Sequence, residues 1–420
     1  MPPGYKPLTS QPHGNSRSNK PYFATWPSTL KMIKQEVKDA GPKDVVASVS
    51  AKVGGVIGAR APGQLPRGEM QVTNAKRALK FSEGHGDELF VMMQQAKSGD
   101  RFVRDIKAAP EPALVVASDR QLDDLARFCG TPSGAECSIL TVDPTFSLGD
   151  FECTPITYRH LLLVSHRYST SPIFIGPILI HYRKNFGSFL FFASSLLSIK
   201  RELQCIRAIG TDGEKALIDA FKHEFRFATH LQCFIHARNS VKRQLAERKY
   251  PESVASEIAD EIFGKQVGST YVAGLVDSAS EEEFFGKLEA KKADWLKREA
   301  DNAGVVRGFF DCFFQYKVEM ITSSMLQPVR EDAGLGCPPA SFTTNACESL
   351  NAMLKRKVNY KKNELPAFVD HLKSLIDEQE RELERAVIGR GKYRFRREFQ
   401  HFKLKRKCGF ACHEIKEKSI

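Results

Sequence analysis

Hydrophobic and polar positions change their rhythm several times along this chain. Residues 1–20 are rich in Pro, Ser, Asn and Gly, carry no apolar period and are expected to be disordered. Between residues 21 and 130 short apolar patterns at helical spacing alternate with loops, which predicts an N-terminal, mainly helical region. There "DELFVMMQQAKSGDRFVRDI" and "SDRQLDDLARFC" read as helices, with a strand "ALVVAS" between them. From 131 to 250 the apolar runs become short and are bounded by Pro, Gly and polar residues. "CSILTVDPTF", "CTPITYRHLLLVS" and "PIFIGPILIHY" read as strands and "FGSFLFFASSLLSIKREL" as a helix. "CIRAIGTDG" is a further strand leading into the helix "EKALIDAFKHEF", and "ATHLQCFIH" leads into the basic helix "ARNSVKRQLAERKY". The order β-β-β-α-β-α-β-α predicts an α/β fold with a mixed sheet.

Strand signals then vanish. Residues 251–330 read as an all-helical insertion, with patterns such as "ESVASEIADEIF" and "SEEEFFGKLEAKKADWLKREA". Residues 331–390 carry a Gly- and Pro-containing loop, a helix around Glu348 and a long helix from Leu365 to about Val387. The remainder, 391–420, is a basic tail.

Bulk properties narrow the class of partner. With 42% hydrophobic and 27% charged residues the chain has the composition of a soluble globular protein. The most membrane-like stretch, Leu161 to Leu197, is broken by His166, Arg167, His181, Arg183, Lys184 and Asn185. No apolar run therefore reaches the roughly 20 residues a span needs, and no membrane partner is expected. The formal net charge of +12 suits a polyanion such as nucleic acid. Ten cysteines, scattered singly, point to a reducing compartment, and the polar N-terminus has no apolar core of a signal peptide.

Candidate chemistry centres on three carboxylates. Asp143 and Asp212 each follow an apolar run, where a strand would leave the sheet, and open α/β sheets bind ligands beside such ends. Either residue also suits a plain turn or helix cap. Glu348 lies in "TTNACESLN", where Thr343, Thr344 and Asn345 offer capping oxygens. With Asn345 as the cap, Glu348 is the third helical residue and its carboxylate can reach back to the cap amide. Taken together, two strand-end carboxylates and a third on a helix after an insertion make an Asp…Asp…Glu set. Such a set suits Mg²⁺ or Mn²⁺, and two such ions support phosphodiester chemistry. The Gly-rich "VGGVIGARAPGQLPRGEMQ" lacks the P-loop pattern and reads as connector.

"LTVDPTF", "IGTDGEKAL", "CFIHARN" and "TTNACESLNAMLK", in that order, resemble the catalytic domain of Mutator-like (MULE) DDE transposases. The likeness covers about residues 135–358. It implies a ribonuclease H-like core with a helical insertion before the last carboxylate, and cut-and-paste DNA transposition in the nucleus. By position it makes Asp143, Asp212 and Glu348 the catalytic, metal-binding residues, with Mg²⁺ (or Mn²⁺) as cofactor. Cys233 and His236 become the family's C-x2-H pair, and with Asn239 they stand beside the site. The N-terminal sequence has no Cys/His-rich finger, and Cys408, Cys412 and His413 fall short of a full zinc set. A decayed or domesticated copy therefore stays open, acting as a catalytically inactive DNA-binding protein. So does a third reading, a thiol hydrolase built on Cys233.

Lys242, Arg243, Lys355, Arg356 and Lys357, with Lys361 and Lys362, place positive charge after the second and third carboxylates and are candidate DNA contacts. Arg396 and Arg397 belong to "KYRFRREFQHFKLKRK", whose interleaved aromatics either stack on bases or form one apolar face. Trp295 is either a base-stacking residue from the insertion or the apolar anchor of its helix, and the anchor is preferred. Oligomeric state stays open, a homo-oligomer included.

Overall fold

The computed structural model describes residues 23–37, 40–82, 88–99, 101–130, 136–144, 146–147, 151–302, 304–357 and 364–403. The expected disorder of residues 1–20, the pair Lys361 and Lys362, and Cys408, Cys412 and His413 lie outside these. The chain divides into two compact units, Met1–Glu88 and Leu89–Ile420.

In the first unit, α1 (Pro27–Glu36), α2 (Pro42–Lys52) and α4 (Glu69–Ser82) surround a small apolar cluster of Ile33, Val37, Val45, Val49 and Val72, and the short α3 (Gly55–Gly58) follows α2 with its Val56 and Ile57 exposed. Prolines at the starts of α1 and α2 explain their sharp N-termini, because the missing N–H would have had no partner there.

The boundary falls at the first residue of α5 (Glu88–Lys97), and the second unit continues with β1 (Val103–Lys107), β2 (Ala113–Val116) and α6 (Asp119–Cys129). The expected long helix through "SGDRFVRDI" is therefore corrected: α5 stops before Gly99, whose φ of +93° breaks the helix, and the chain returns as β1. Ser118 and Gln121 form the capping box that starts α6. The core continues with β3 (Leu140–Val142), β4 (Phe146–Ser147), β5 (Glu152–Arg159), β6 (Leu163–Ser165), β7 (Ile173–His181), α7 (Phe186–Ile199), β8 (Ala208–Thr211), α8 (Lys215–Glu224), β9 (Thr229–Gln232) and α9 (Phe234–Glu247). The expected strand "CTPITYRHLLLVS" is thus two, β5 and β6.

The main sheet runs β1-β2-β7-β5-β3-β8-β9, with β4 pairing on β5. β5 is antiparallel to both β7 and β3, whereas β3, β8 and β9 are mutually parallel. Alternation along the strands feeds two cores on opposite faces. Ala113 and Val115 belong with Leu125, Phe189, Phe192 and Phe221 from α6, α7 and α8. Leu114 and Val116 belong with Met92 and with the helices that follow the insertion. The result is a mixed α/β domain with helices on both faces of the sheet.

The insertion contains α10 (Glu252–Phe263), β10 (Lys265–Val267), β11 (Thr270–Val272), α11 (Glu281–Asp301), α12 (Phe309–Ser324) and α13 (Gln327–Asp332). The short β10–β11 hairpin corrects the all-helical expectation. Gly264 and Gly268, at φ +74° and +60°, turn the chain on either side of a three-residue strand too short to show a period. Trp295 is buried among Phe309, Phe310 and Phe313, and its indole N–H donates to Glu261 at 2.7 Å. It anchors the insertion's own core, so the base-stacking alternative is set aside.

After the insertion come α14 (Asn345–Lys357), α15 (Leu365–Val387) and β12 (Tyr393–Phe395), the last antiparallel to β6. Phe395 is buried in the main core, with Tyr393, Phe399 and Phe402 packed against it. The first part of the expected tail is therefore an integral edge of the fold, and its aromatics are packed instead of stacking on bases.

Candidate active site

Asp143 and Asp212 leave adjacent parallel strands at matched positions, since Val142 pairs with Thr211 in the β3–β8 register. They emerge at the same sheet end because each directly follows the last ladder residue. Asp143 is buried, at 8% exposure, and Asp212 is partly open. One Asp212 oxygen accepts the Glu214 N–H at 3.0 Å, closing the turn before α8. Gly213 is required in that turn: φ is +108°, and a Cβ would meet the Gln232 side chain at 2.2 Å.

The third carboxylate arrives by a series of local constraints. Gly210 in β8 leaves room for the Phe342 ring, which a Cβ would strike at 2.0 Å. Phe342 O accepts the Phe234 N–H at 3.0 Å, so the segment entering α14 is pinned to the start of α9. Thr344 follows. Its N–H and hydroxyl both donate to Cys233 Sγ at 3.4 Å, and its hydroxyl lies 3.3 Å from His236 Nδ1. Cys233 and His236 thus act as one clasp on the residue that begins the Glu348 helix. Cys347 then sits fully buried, with its thiol 3.2 Å from the Thr157 hydroxyl and 4.0 Å from Thr141 O, above the centre of the sheet.

Glu348 is exposed, and its N–H donates to Thr344 O at 3.1 Å. Thr344 is therefore the cap, Glu348 is the fourth helical residue, and the capping-box expectation built on Asn345 is corrected. One turn further along the same helix face, Asn351 Nδ2 donates to Asp143 Oδ2 at 3.5 Å. Sequence reasoning passed over Asn351, although its position three residues after Glu348 was a usable signal.

The electrostatics follow from this crowding. Burial first, then the like charges of Asp212 and Glu348, push the Asp143 carboxyl up to about 7, against a smaller opposing pull from Lys184. Burial and the same three carboxylates also raise the Cys347 thiol. Asp143 thus senses both partners as charges. Among the described residues, however, no three His, Cys, Asp and Glu side chains form a group that holds a metal ion as they stand.

The remaining expected residues distribute unevenly. Asn239 and Arg243 line a cleft of about 300 Å³ with Asp212 and His236. Lys242 donates to Ser256 Oγ at 3.0 Å, Lys357 lies 3.5 Å from Glu378, and Arg356 Nε donates to Ala352 O. Lys355 is half-buried on the same helix, whereas Arg397 is exposed just after β12. Arg396 forks onto Glu136 and donates to Ser171 Oγ at 2.6 Å, so it locks β12 in place. No protein-family model matches this sequence, and no curated protein is similar to it by sequence.

Proposed function

We propose that the chain is the catalytic region of a DDE-type transposase or nuclease of the Mutator-like kind, hydrolysing or transferring DNA phosphodiesters in the nucleus. The observation that supports this reading is the charge coupling of Asp143 to Asp212, on the paired strand end, and to Glu348, on the helix held by the Cys233–His236 clasp. The sheet supports a ribonuclease H-like core: an antiparallel meander, β3-β5-β7, is continued by the parallel strands β8 and β9 on its other side.

The donor types suit a divalent cation, although as the side chains stand no three of them among the described residues form a group that would hold one. Asp143 is a buried carboxyl flanked by two like charges, and Asn351 Oδ1 beside it is buried with no hydrogen-bond partner. Asp143, Asp212 and Glu348 would hold Mg²⁺ or Mn²⁺, which when bound supplies charge stabilisation and an activated oxygen for in-line displacement. The chain's own residues do the positioning. Asn351 orients Asp143, the Glu214 N–H fixes one Asp212 oxygen, and the Cys233–His236 clasp sets the start of the Glu348 helix.

One observation favours the alternative, a catalytically inactive DNA-binding protein: Asp212 already closes a turn, the duty of a purely structural aspartate. Nicking of supercoiled DNA by the purified protein in Mg²⁺ separates the two. Asp212→Asn should keep the melting temperature and abolish nicking, since Asn can still accept the turn hydrogen bond. An active Asp212→Asn protein sinks the three-carboxylate mechanism. Salt-sensitive DNA binding by a wild-type protein that never nicks establishes the alternative.

A further inference from the structure

The cleft that begins at Asp212 has a second wall supplied by the insertion. Lys317 on α12 and Arg243 on α9 both line it, together with Gln232, His236 and Asn239. At about 300 Å³ it is at the small end of ligand clefts. Lys317 is half-buried and donates to Ser240 Oγ at 2.9 Å, which ties α12 to α9. Among the described residues neither Lys317 nor Arg243 has a carboxylate within ion-pair distance, although acidic side chains are frequent on the insertion. Burial and the neighbouring Arg243 charge hold the Lys317 ammonium below its ordinary range. Two like charges share one cleft, and the carboxylate that lines it with them, Asp212, makes no ion pair with either, which is an unfavourable arrangement for a surface that binds nothing. An anion relieves it.

We propose that Lys317 and Arg243 form an anion subsite that seats a backbone phosphate of bound DNA next to the phosphodiester aligned on the carboxylates. The subsite rests on the reading that this cleft works on nucleic acid. It explains why the insertion packs where it does: α12 contributes a positioning cation that the α/β core alone lacks. Gln232 and Asn239 add amide donors that suit phosphate oxygens, and His236 links the subsite to the clasp on Thr344. Lys317 is a positioning residue, and no proton transfer is assigned to it.

The test compares Lys317→Met and Lys317→Arg with wild type, using the full chain and a short DNA duplex in EDTA. Binding without metal keeps the experiment independent of catalysis, so a failed carboxylate mechanism does not obscure it. Methionine keeps the stem in place and removes the strained charge, which offsets the lost bond to Ser240, so the variant should melt close to wild type. Losing one phosphate contact should weaken binding roughly 3- to 10-fold near 0.1 M salt and flatten the slope of log affinity against log salt by about 0.9. Lys317→Arg should restore both. Where nicking occurs, KM should rise more than kcat falls. A Lys317→Met protein that melts normally and binds DNA with wild-type affinity and slope overturns the proposal. A second arm titrates inorganic phosphate. Phosphate binding that is lost in Lys317→Met while DNA binding is untouched assigns the subsite to free phosphate and equally overturns it.

Discussion

Asp143 is the residue at which the site's electrostatics become measurable. Its folded carboxyl titrates near 7, well above the 3.8 of an unperturbed aspartate, with burial as the main cause and Asp212 and Glu348 next. The folded state therefore keeps a proton that the unfolded state has lost, and stability falls as pH rises from about 4 to about 7. Asp143→Asn removes that contribution while nearly preserving shape. In EDTA the variant should match wild type near pH 4 and melt progressively higher towards pH 8. The free-energy gap should be at most about 4 kcal/mol. Mg²⁺ should narrow the gap by stabilising wild type alone, and a gap that does not change with pH would contradict the crowded-carboxylate picture. Cys233 gives a second test at this scale. Its thiol is fully buried and takes two hydrogen bonds from Thr344, which suits a clasp and denies access to a substrate. In the native protein an alkylating reagent should label the exposed Cys205 and Cys337 and leave Cys233 unmodified, without loss of DNA binding. Rapid native-state labelling of Cys233 would revive the thiol-hydrolase reading.

Among the elements, those that could be read from the sequence are the ones whose burial is one-sided or complete. β7 and β8 are uninterrupted apolar runs ending in a charged or polar residue, and α7 has both helical length and the Asn185 cap. The placement of Asp143 and Asp212 could be anticipated because strand ends are marked locally. The clasp could not: Thr344 lies more than a hundred residues from Cys233 and His236 and reaches them where Gly210 admits Phe342. β1 was hidden by a preceding amphipathic helix, and β12 by its high charge. The strand pairing of β12 with β6 arises from tertiary contact and not from local propensity. Trp295 was legible as an anchor, and its energetics follow from the aromatic cluster around it. Trp295→Ala should cost about 3–5 kcal/mol of insertion stability, whereas Trp295→Phe should cost much less and leave DNA affinity unchanged. Calorimetry together with fluorescence anisotropy checks both. A well-folded Trp295→Phe protein with strongly weakened DNA binding would return the residue to a stacking role.

On the scale of the whole molecule the decisive property is a net charge of +12, yet total charge does not say which cations are free to meet a phosphate. The structure separates them. Arg396 is held by two-pronged bonding to Glu136 and by Ser171, so it contributes to the fold's edge and not to a free field. Arg243 and Lys317 face the cleft beside Asp212 without a carboxylate partner among the described residues. DNA affinity should therefore depend steeply on salt, with each neutralised phosphate adding about 0.9 to the slope. For six or more contacts the loss between 50 and 200 mM would be on the order of a thousandfold. Arg396→Gln should lower the melting temperature, because it strands Glu136 and loosens β12, but it should leave the salt slope at its wild-type value. Arg243→Gln should do the reverse, flattening the slope by about one phosphate with little change in melting. The two variants are made in the same background and titrated against the same duplex at four or more salt concentrations. A wild-type profile that is flat over this range would remove the polyanion-binding surface on which the functional reading depends. A slope that falls with Arg396→Gln and not with Arg243→Gln would move that surface to the separate β6–β12 ribbon.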